Sequence, residues 1–270
     1  MVGDLSRELI ESSVRGRFGR PVRLYHSTDS TNERALEWLG EGAPEGALVV
    51  ADYQSAGRGR RGRQWVASPG EGLLFSLILY PRGAALELLT TSIGVAVSEI
   101  VEATYNLAAR IKWPNDVTVN SKKLAGILVE SRSSGGNPQG CVAGIGVNVS
   151  TGADGFADEL ETSATSIRLE LKGADRKTLS RATLLSGFLL RFEEIYRSLE
   201  SHEGRGDVLA RAAARSDVLG HEVVVRLADG SRTTGLATGL GPLGELRLRT
   251  DAGEQSLRAG EVERLREADG

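Results

Sequence analysis

A chain of 270 residues, 26% charged and 40% hydrophobic, has room for one large core or two domains and the composition of an ordinary soluble globular protein. A net charge of −3 and a pI near 5.8 exclude a general polyanion binder, and the single cysteine, Cys141, excludes an internal disulfide or a multi-cysteine metal site. The N-terminus shows no secretory signal and no apolar run approaches the roughly 18 residues of a membrane span, so a cytoplasmic location without a membrane partner is the default expectation.

In chain order, Leu5 to Val14 suits one short helix, and the opening twenty residues are too few for a helix-turn-helix DNA-binding domain. "RLYHSTDSTNERALEWLGEG" follows as strand, polar loop and helix. There Ser30 and Glu33 have capping-box spacing, and Leu36 and Leu39 form an apolar stripe. Strands at 46–53 and 72–80 flank an arginine-rich loop, and small and β-branched residues from Leu88 to Tyr105 suit a tightly packed helix. Short strands are expected from Arg110 to Ser150, joined by turns at Asn120-Ser121 and Gly135-Gly136-Asn137-Pro138. Helices at about 179–200 and 207–215 come next. After Ser216 the pattern changes to short alternating strands with turns at Asp229-Gly230, Gly241-Pro242 and Ala252-Gly253, which predicts a small β-barrel. The fold class is therefore α+β: a mixed sheet flanked by helices over 1–215, with a barrel domain over 216–270.

Three segments carry candidate chemistry. In "SAGRGRRGRQW" (55–65), Arg58, Arg60, Arg61 and Arg63 alternate with Gly57, Gly59 and Gly62. Glycine lets backbone N–H groups approach a ligand, and guanidinium forks suit carboxylate or phosphate. Four like charges repel, so an anion is expected to order the loop. A solvated basic loop or a nucleic-acid contact fits this segment equally well. It is not a Walker loop, because no Gly-Lys-Ser/Thr follows. "KWPNDV" (112–117) places Lys112, Asn115 and Asp116 around a turn fixed by Pro114, and an ordinary strand-turn remains open there. "KKLAGILVE" (122–130) sets Lys123 before an apolar run, where its ammonium needs an anion, and Gly126 in a strand implies close approach of another group. The histidines have no metal-ligand spacing, no catalytic triad is evident, and Cys141 reads as packing.

Taken together and in order, "STN" (30–32), "YQSAGRGRRGRQW" (53–65), "KWPNDV", "KLAGILVE" (123–130), "GIGVN" (144–148) and "ATSI" (164–167) resemble biotin–protein ligase. The resemblance spans roughly residues 22–200 and extends to the terminal barrel. Many members carry an N-terminal DNA-binding repressor domain, and the resemblance here is to the form without it, so no specific DNA partner is expected. It implies that biotin's carboxylate attacks the α-phosphorus of ATP, and that a lysine of a biotin carboxyl carrier protein, a subunit of acetyl-CoA carboxylase, then takes the biotinyl group.

By position, the resemblance implies that Ser30, Thr31, Asn32 and Gln54 line a ureido pocket. Gly57, Arg58, Gly59 and Arg60 would close over the carboxylate end. Lys123 would hold the carboxylate and α-phosphate, with Gly126 as a wall. Arg60, Arg61, Arg63, Trp65, Lys112, Asn115, Asp116 and Asn148 would handle ATP, Trp65 shielding adenine and Asp116 placing Mg²⁺. Lys123, Arg58, Arg60 and Asp116 would be catalytic. A lipoate or octanoate ligase or transferase of the same superfamily, and more remotely a nucleic-acid-binding module, are the alternatives. Monomer and homodimer both stay open.

Overall fold

The structure, a computed structural model, describes residues 4–134, 137–156, 163–171 and 179–264. A seven-stranded mixed sheet in the order β1-β2-β3-β7-β6-β5-β4 forms its centre. The strands are β1 (Val22–Tyr25), β2 (Leu48–Ala51), β3 (Gly72–Leu79), β4 (Arg110–Lys112), β5 (Asp116–Val119), β6 (Lys122–Ser134) and β7 (Asn137–Asn148). Only β1 and β2 run parallel, with α2 (Thr31–Gly40) between them in sequence. The short strands expected after Arg110 include two long ones. β6 and β7 span 13 and 12 residues, and the expected turn at 135–138 begins at Gly135 and Gly136, outside the described residues. The turn at Asn120-Ser121 has both residues at positive φ, 51° and 61°.

Strand parity explains the layers. One face carries Leu48, Val50, Phe75, Leu77, Ile127, Ile145 and Val147. It packs in the main core with α1 (Arg7–Ser13), α3 (Ala84–Tyr105), α5 (Arg181–Ser198) and α6 (His202–Ala214). By length and composition α3 could cross a membrane, but most of it is buried in this core. On the opposite face α2 covers Val49, Ile78 and Val142 through Ala35 and Leu39, and its first turn reaches Ser76 and Gly144 through Thr31 and Asn32. Beyond that turn the face presents Gly146, Gly126, Leu128 and Glu130, on β7 and β6. Glycines there leave a hollow.

A short α4 (Ile167–Glu170), capped by Ser166, was not legible in the sequence pattern. The remaining strands are β8 (Glu222–Arg226), β9 (Arg232–Leu240), β10 (Leu246–Thr250), β11 (Gly253–Leu257) and β12 (Glu261–Arg264). They form a second, antiparallel sheet in the order β11-β10-β9-β8-β12. No pairing joins β11 to β12 among the described residues, so the expected barrel is realised as an open five-stranded sheet over its own small core. Trp113 of "KWPNDV" fills that core, 7% exposed, and its Nε1 donates to Gly244 O at 3.0 Å. The chain leaving α6 pairs with β4: Ile111 N donates to Arg215 O and Asp217 N to Ile111 O, each at 2.8 Å.

Candidate active site

The hollow on the α2 face is a pocket open to solvent on one side. At one end stands the N-terminus of α2. Asp29 Oδ1 accepts from Ser30 N at 2.6 Å and from Thr28 Oγ1 at 3.0 Å, and both Asp29 oxygens are met by Arg34. Burial alone would raise the Asp29 pKa, but these donors outweigh it and hold the carboxyl below its ordinary value. Ser30 occupies the N-cap position, yet its side chain makes no capping bond, so the capping-box expectation holds in position only. Ser30, 2% exposed, instead lines the pocket, and Glu33 pairs with Arg58. Gln54 Oε1 accepts from Thr31 N at 2.7 Å and from Thr31 Oγ1 at 3.0 Å. Asn32 donates from Nδ2 to Glu130 Oε2 at 2.7 Å, and its Oδ1 accepts from Ser76 Oγ at 2.6 Å.

The pocket floor is made by missing side chains. A Cβ built at Gly144 would collide with Asn32 Oδ1, and one at Gly126 would lie 2.8 Å from Trp65 Cζ3. Gly146 likewise yields to the Trp65 indole. The close approach expected at Gly126 is thus the Trp65 ring. Trp65 Nε1 is buried and has no hydrogen-bond partner among the described residues.

Over the floor folds the arginine loop. Gly59 N donates to Arg63 O at 2.8 Å, and Trp65 N to Gly57 O at 2.9 Å, so Gly57 forms the base of the loop. Arg61 sits in the left-handed region at φ 56°, ψ 38°, a conformation costing a non-glycine about 1–2 kcal/mol. Each guanidinium has a partner. Arg58 pairs with Glu33 and, at 2.6 Å, with Glu130, and Arg60 Nη1 donates to Asn115 Oδ1 at 3.0 Å. Arg61 Nη2 donates to Arg226 O at 3.3 Å, while Arg61 and Arg63 both face Glu261 of the second sheet. Burial first, then repulsion from Arg61 and Arg63, lowers the Arg60 pKa against the opposing pull of Asp116. This guanidinium sits in a surplus of positive charge, which an incoming anion would relieve.

Lys123 meets the anion its position demanded: its Nζ is 2.7 Å from Asp116 Oδ1 and 5.6 Å from the Trp65 ring centroid. Asp116 Oδ1 is buried and takes no hydrogen bond despite that ion pair. Asn115 Nδ2 donates to Ile127 O at 3.1 Å, which fixes its Oδ1 toward Arg60. Lys123 is also framed through its backbone, donating to Ser163 O at 2.8 Å and accepting from Thr165 N at 2.9 Å. Asn148 Nδ2 donates to Thr165 O, tying the "ATSI" segment beside Lys123.

The pocket lining thus brings together Ser30, Thr31, Asn32, Gln54, Arg58, Gly59, Arg60, Trp65, Asn115, Lys123 and Gly126 from separate segments. Gly57, Arg61, Arg63, Asp116 and Asn148 stand just behind that lining, in contact with residues that form or frame it. Lys112 lies across from Asp116 in the β4–β5 pairing, outside the lining. Sequence reasoning missed Ser76, Glu33, Glu130 and Glu261. A hydroxyl inside the apolar run "GLLFSLIL" was the one available signal for Ser76. The acids sit on separate elements and carry no local pattern. Among the described residues no group of three or more His, Cys, Asp or Glu is placed to hold a metal.

Comparison with known proteins gives a consistent picture. The sequence model of the biotin/lipoate A/B protein ligase family matches residues 24–148. A biotin–[acetyl-CoA-carboxylase] ligase of Paracoccus denitrificans is 36% identical over 239 residues, 87% of this chain and 97% of that protein. A bifunctional ligase/repressor of Bacillus subtilis is 34% identical over 265 residues, 97% of this chain and 79% of the relative. The biotin protein ligase of Aquifex aeolicus, solved in complex with biotin and ATP, superimposes with a TM-score of 0.75 at 29% identity. That match covers 92% of this chain and all of the other.

Proposed function

The chain belongs to the biotin/lipoate A/B protein ligase family, and on that premise we propose that it activates biotin with ATP and transfers it to a lysine of a biotin carboxyl carrier protein. One observation carries the reading. A single pocket has a neutral, hydrogen-bonding wall at Ser30, Thr31, Asn32 and Gln54, and a cationic end at Arg60 and Lys123.

The neutral wall suits a ureido ring. The cationic end suits two anions that must meet. A biotin carboxylate oxygen attacks the α-phosphorus of ATP, the bond to the bridging oxygen breaks, and pyrophosphate leaves. Like charge opposes that approach. Lys123, Arg58 and Arg60 offset the repulsion and stabilise charge building on the phosphoryl oxygens. Pulling Lys123 toward substrate opens its pair with Asp116, and Arg61 and Arg63 exchange Glu261 for phosphate. We assign Trp65, Lys112, Asn115 and Asn148 to the nucleotide side, where the unpartnered Trp65 N–H awaits an acceptor. In the second step a neutral carrier lysine attacks the acyl carbon, AMP leaves, and the amine loses a proton. The loop keeps water off the mixed anhydride meanwhile. No side-chain nucleophile is required. Cys141 supplies none, since burial and Glu45 push its thiol up to about 12.

Mg²⁺ fits the Asp116 side of the site. Its buried Oδ1, paired with Lys123 at 2.7 Å, would become one carboxylate ligand once that pair opens, and Mg²⁺ accepts one or two carboxylates alongside substrate phosphates. Held there, it would neutralise triphosphate charge. We also take residues 1–215 as the catalytic domain and 216–270 as an accessory one, and place the reaction in the cytoplasm.

Pyrophosphate exchange into ATP, run with biotin, lipoate and octanoate in turn, tests the reading. Exchange dependent on biotin alone is expected. Exchange with lipoate or octanoate and none with biotin would replace it with the sister activity.

A further inference from the structure

Ser76 is a polar residue that neither the proposed chemistry nor the motifs use. It lies in the middle of β3, where all eight residues are buried, and is itself 0% exposed. Its Oγ is 2.6 Å from Asn32 Oδ1 and 2.8 Å from Thr31 Oγ1. Its cross-strand neighbour on β7 is Gly144, whose missing side chain gives the Asn32 amide its space.

The orientation of the Asn32 amide follows from one group. The Glu130 carboxylate only accepts, so the Asn32 atom 2.7 Å from it is the amide nitrogen, and the other atom is the oxygen. That oxygen requires a donor, and the Ser76 hydroxyl at 2.6 Å supplies it. Ser76 Oγ also faces Thr31 Oγ1 at 2.8 Å, again as the donor, so its proton is shared between the two acceptors. Thr31 gives its own proton to Gln54 Oε1 at 3.0 Å. Gln54 Oε1 already accepts from Thr31 N at 2.7 Å. Protons run from Ser76 to Asn32 and Thr31, from Thr31 to Gln54, and from Asn32 to Glu130. This leaves the Thr31 hydroxyl with a lone pair for a ligand N–H, and Gln54 with its amide donors for a ligand carbonyl. A ureido group carries that donor and acceptor set.

We propose that Ser76 is a specificity-determining positioning residue: with Glu130 it fixes the donor and acceptor polarity of the Thr31–Asn32 wall toward a ureido ligand. The inference rests on the biotin reading of the pocket. Without the Ser76 hydroxyl, Asn32 Oδ1 and Thr31 Oγ1 lose the donor they share, and neither side chain is held to this polarity.

Steady-state adenylation by Ser76→Ala and Ser76→Cys, each alongside wild type, separates the outcomes. For Ser76→Ala the biotin KM is expected to rise about tenfold, the effect of one neutral hydrogen bond, with kcat and the ATP KM unchanged. Ser76→Cys, which keeps a weak S–H donor, should fall between. Desthiobiotin, which keeps the ureido ring and lacks the sulfur, should lose the same factor. A wild type inactive with biotin overturns the parent reading. A biotin-active wild type whose Ser76 variants keep the biotin KM, or raise the ATP KM in parallel, overturns this one. If Ser76→Ala does not fold, the folded Ser76→Cys decides by the same KM comparison.

Discussion

The two ends of the pocket are built on opposite principles. At the α2 end, Thr31, Asn32, Gln54 and Ser76 bond to one another and to Glu130. At the loop end, the cations are balanced by carboxylates borrowed from elsewhere: Glu33 and Glu130 for Arg58, Asp116 for Lys123, and Glu261 for Arg61 and Arg63. On the proposed function, the first end would receive a neutral ring without rearrangement, and the second would trade its internal anions for substrate anions. Rigid recognition would then be separated from charge exchange, and substitutions should show different signatures at the two ends.

The largest effect is expected from Lys123→Ala. If Lys123 meets both reacting anions as proposed, its removal should cost roughly 10²–10³ in adenylation, as for loss of one electrostatic stabiliser. Circular dichroism should show the fold retained. Near-normal adenylation in a folded variant would collapse the contrast, leaving Lys123 as a surface partner of Asp116.

Arg60→Gly should act on retention more than on formation. Its bond to Asn115 pins the loop over the pocket, and glycine makes the loop costlier to order. A charge-assisted contact is worth about 1.5–3 kcal/mol, so adenylate should escape on the order of ten- to a hundredfold faster. Labelling of a bystander protein such as albumin reports this. Bystander labelling equal to wild type, with adenylate forming normally, would show that Arg60 does not retain it.

Glu261→Gln sharpens the idea of exchange. If Glu261 is an anion that phosphate must displace, neutralising it should lower the ATP KM by about two- to fivefold, the scale of a partly exposed ion pair. The effect should shrink at high ionic strength. A higher ATP KM would mean instead that Glu261 holds Arg61 and Arg63 in the productive position.

The smallest effect concerns pH at the rigid end. The Asp29 pKa is lowered in the folded state, so its contribution is fully present above the ordinary 3.8 and is lost as pH falls through the lower folded value. Wild type should therefore lose less stability between pH 6 and pH 4, read by chemical denaturation, than below pH 4. Asp29→Asn should flatten that acid limb. An unchanged acid limb in Asp29→Asn would remove Asp29 as its cause.

Much of this architecture was legible because it is periodic or apolar. The runs at 46–53 and 72–80 are the buried β2 and β3, and Gly126 signalled the approach of Trp65. β6 and β7 outran expectation because their distal ends are polar, where hydrophobic patterning has nothing to read. The balancing acids were invisible for a different reason. Glu33, Glu130 and Glu261 lie on α2, β6 and β12, and each alone resembles a solvated charge. Trp113 read as part of a turn, although its ring fills the core of the second sheet.

The glycine floor also limits how the pocket can change. Where a floor is made of side chains, a new rotamer can deepen or widen it. Gly126, Gly144 and Gly146 have no rotamers, and a methyl group at any of them meets Trp65 or Asn32. Depth is consequently set by the backbone of β6 and β7, and a bulkier ring system cannot be accommodated from below. Any widening of ligand range in this scaffold has to come from above, through the length and sequence of the arginine loop.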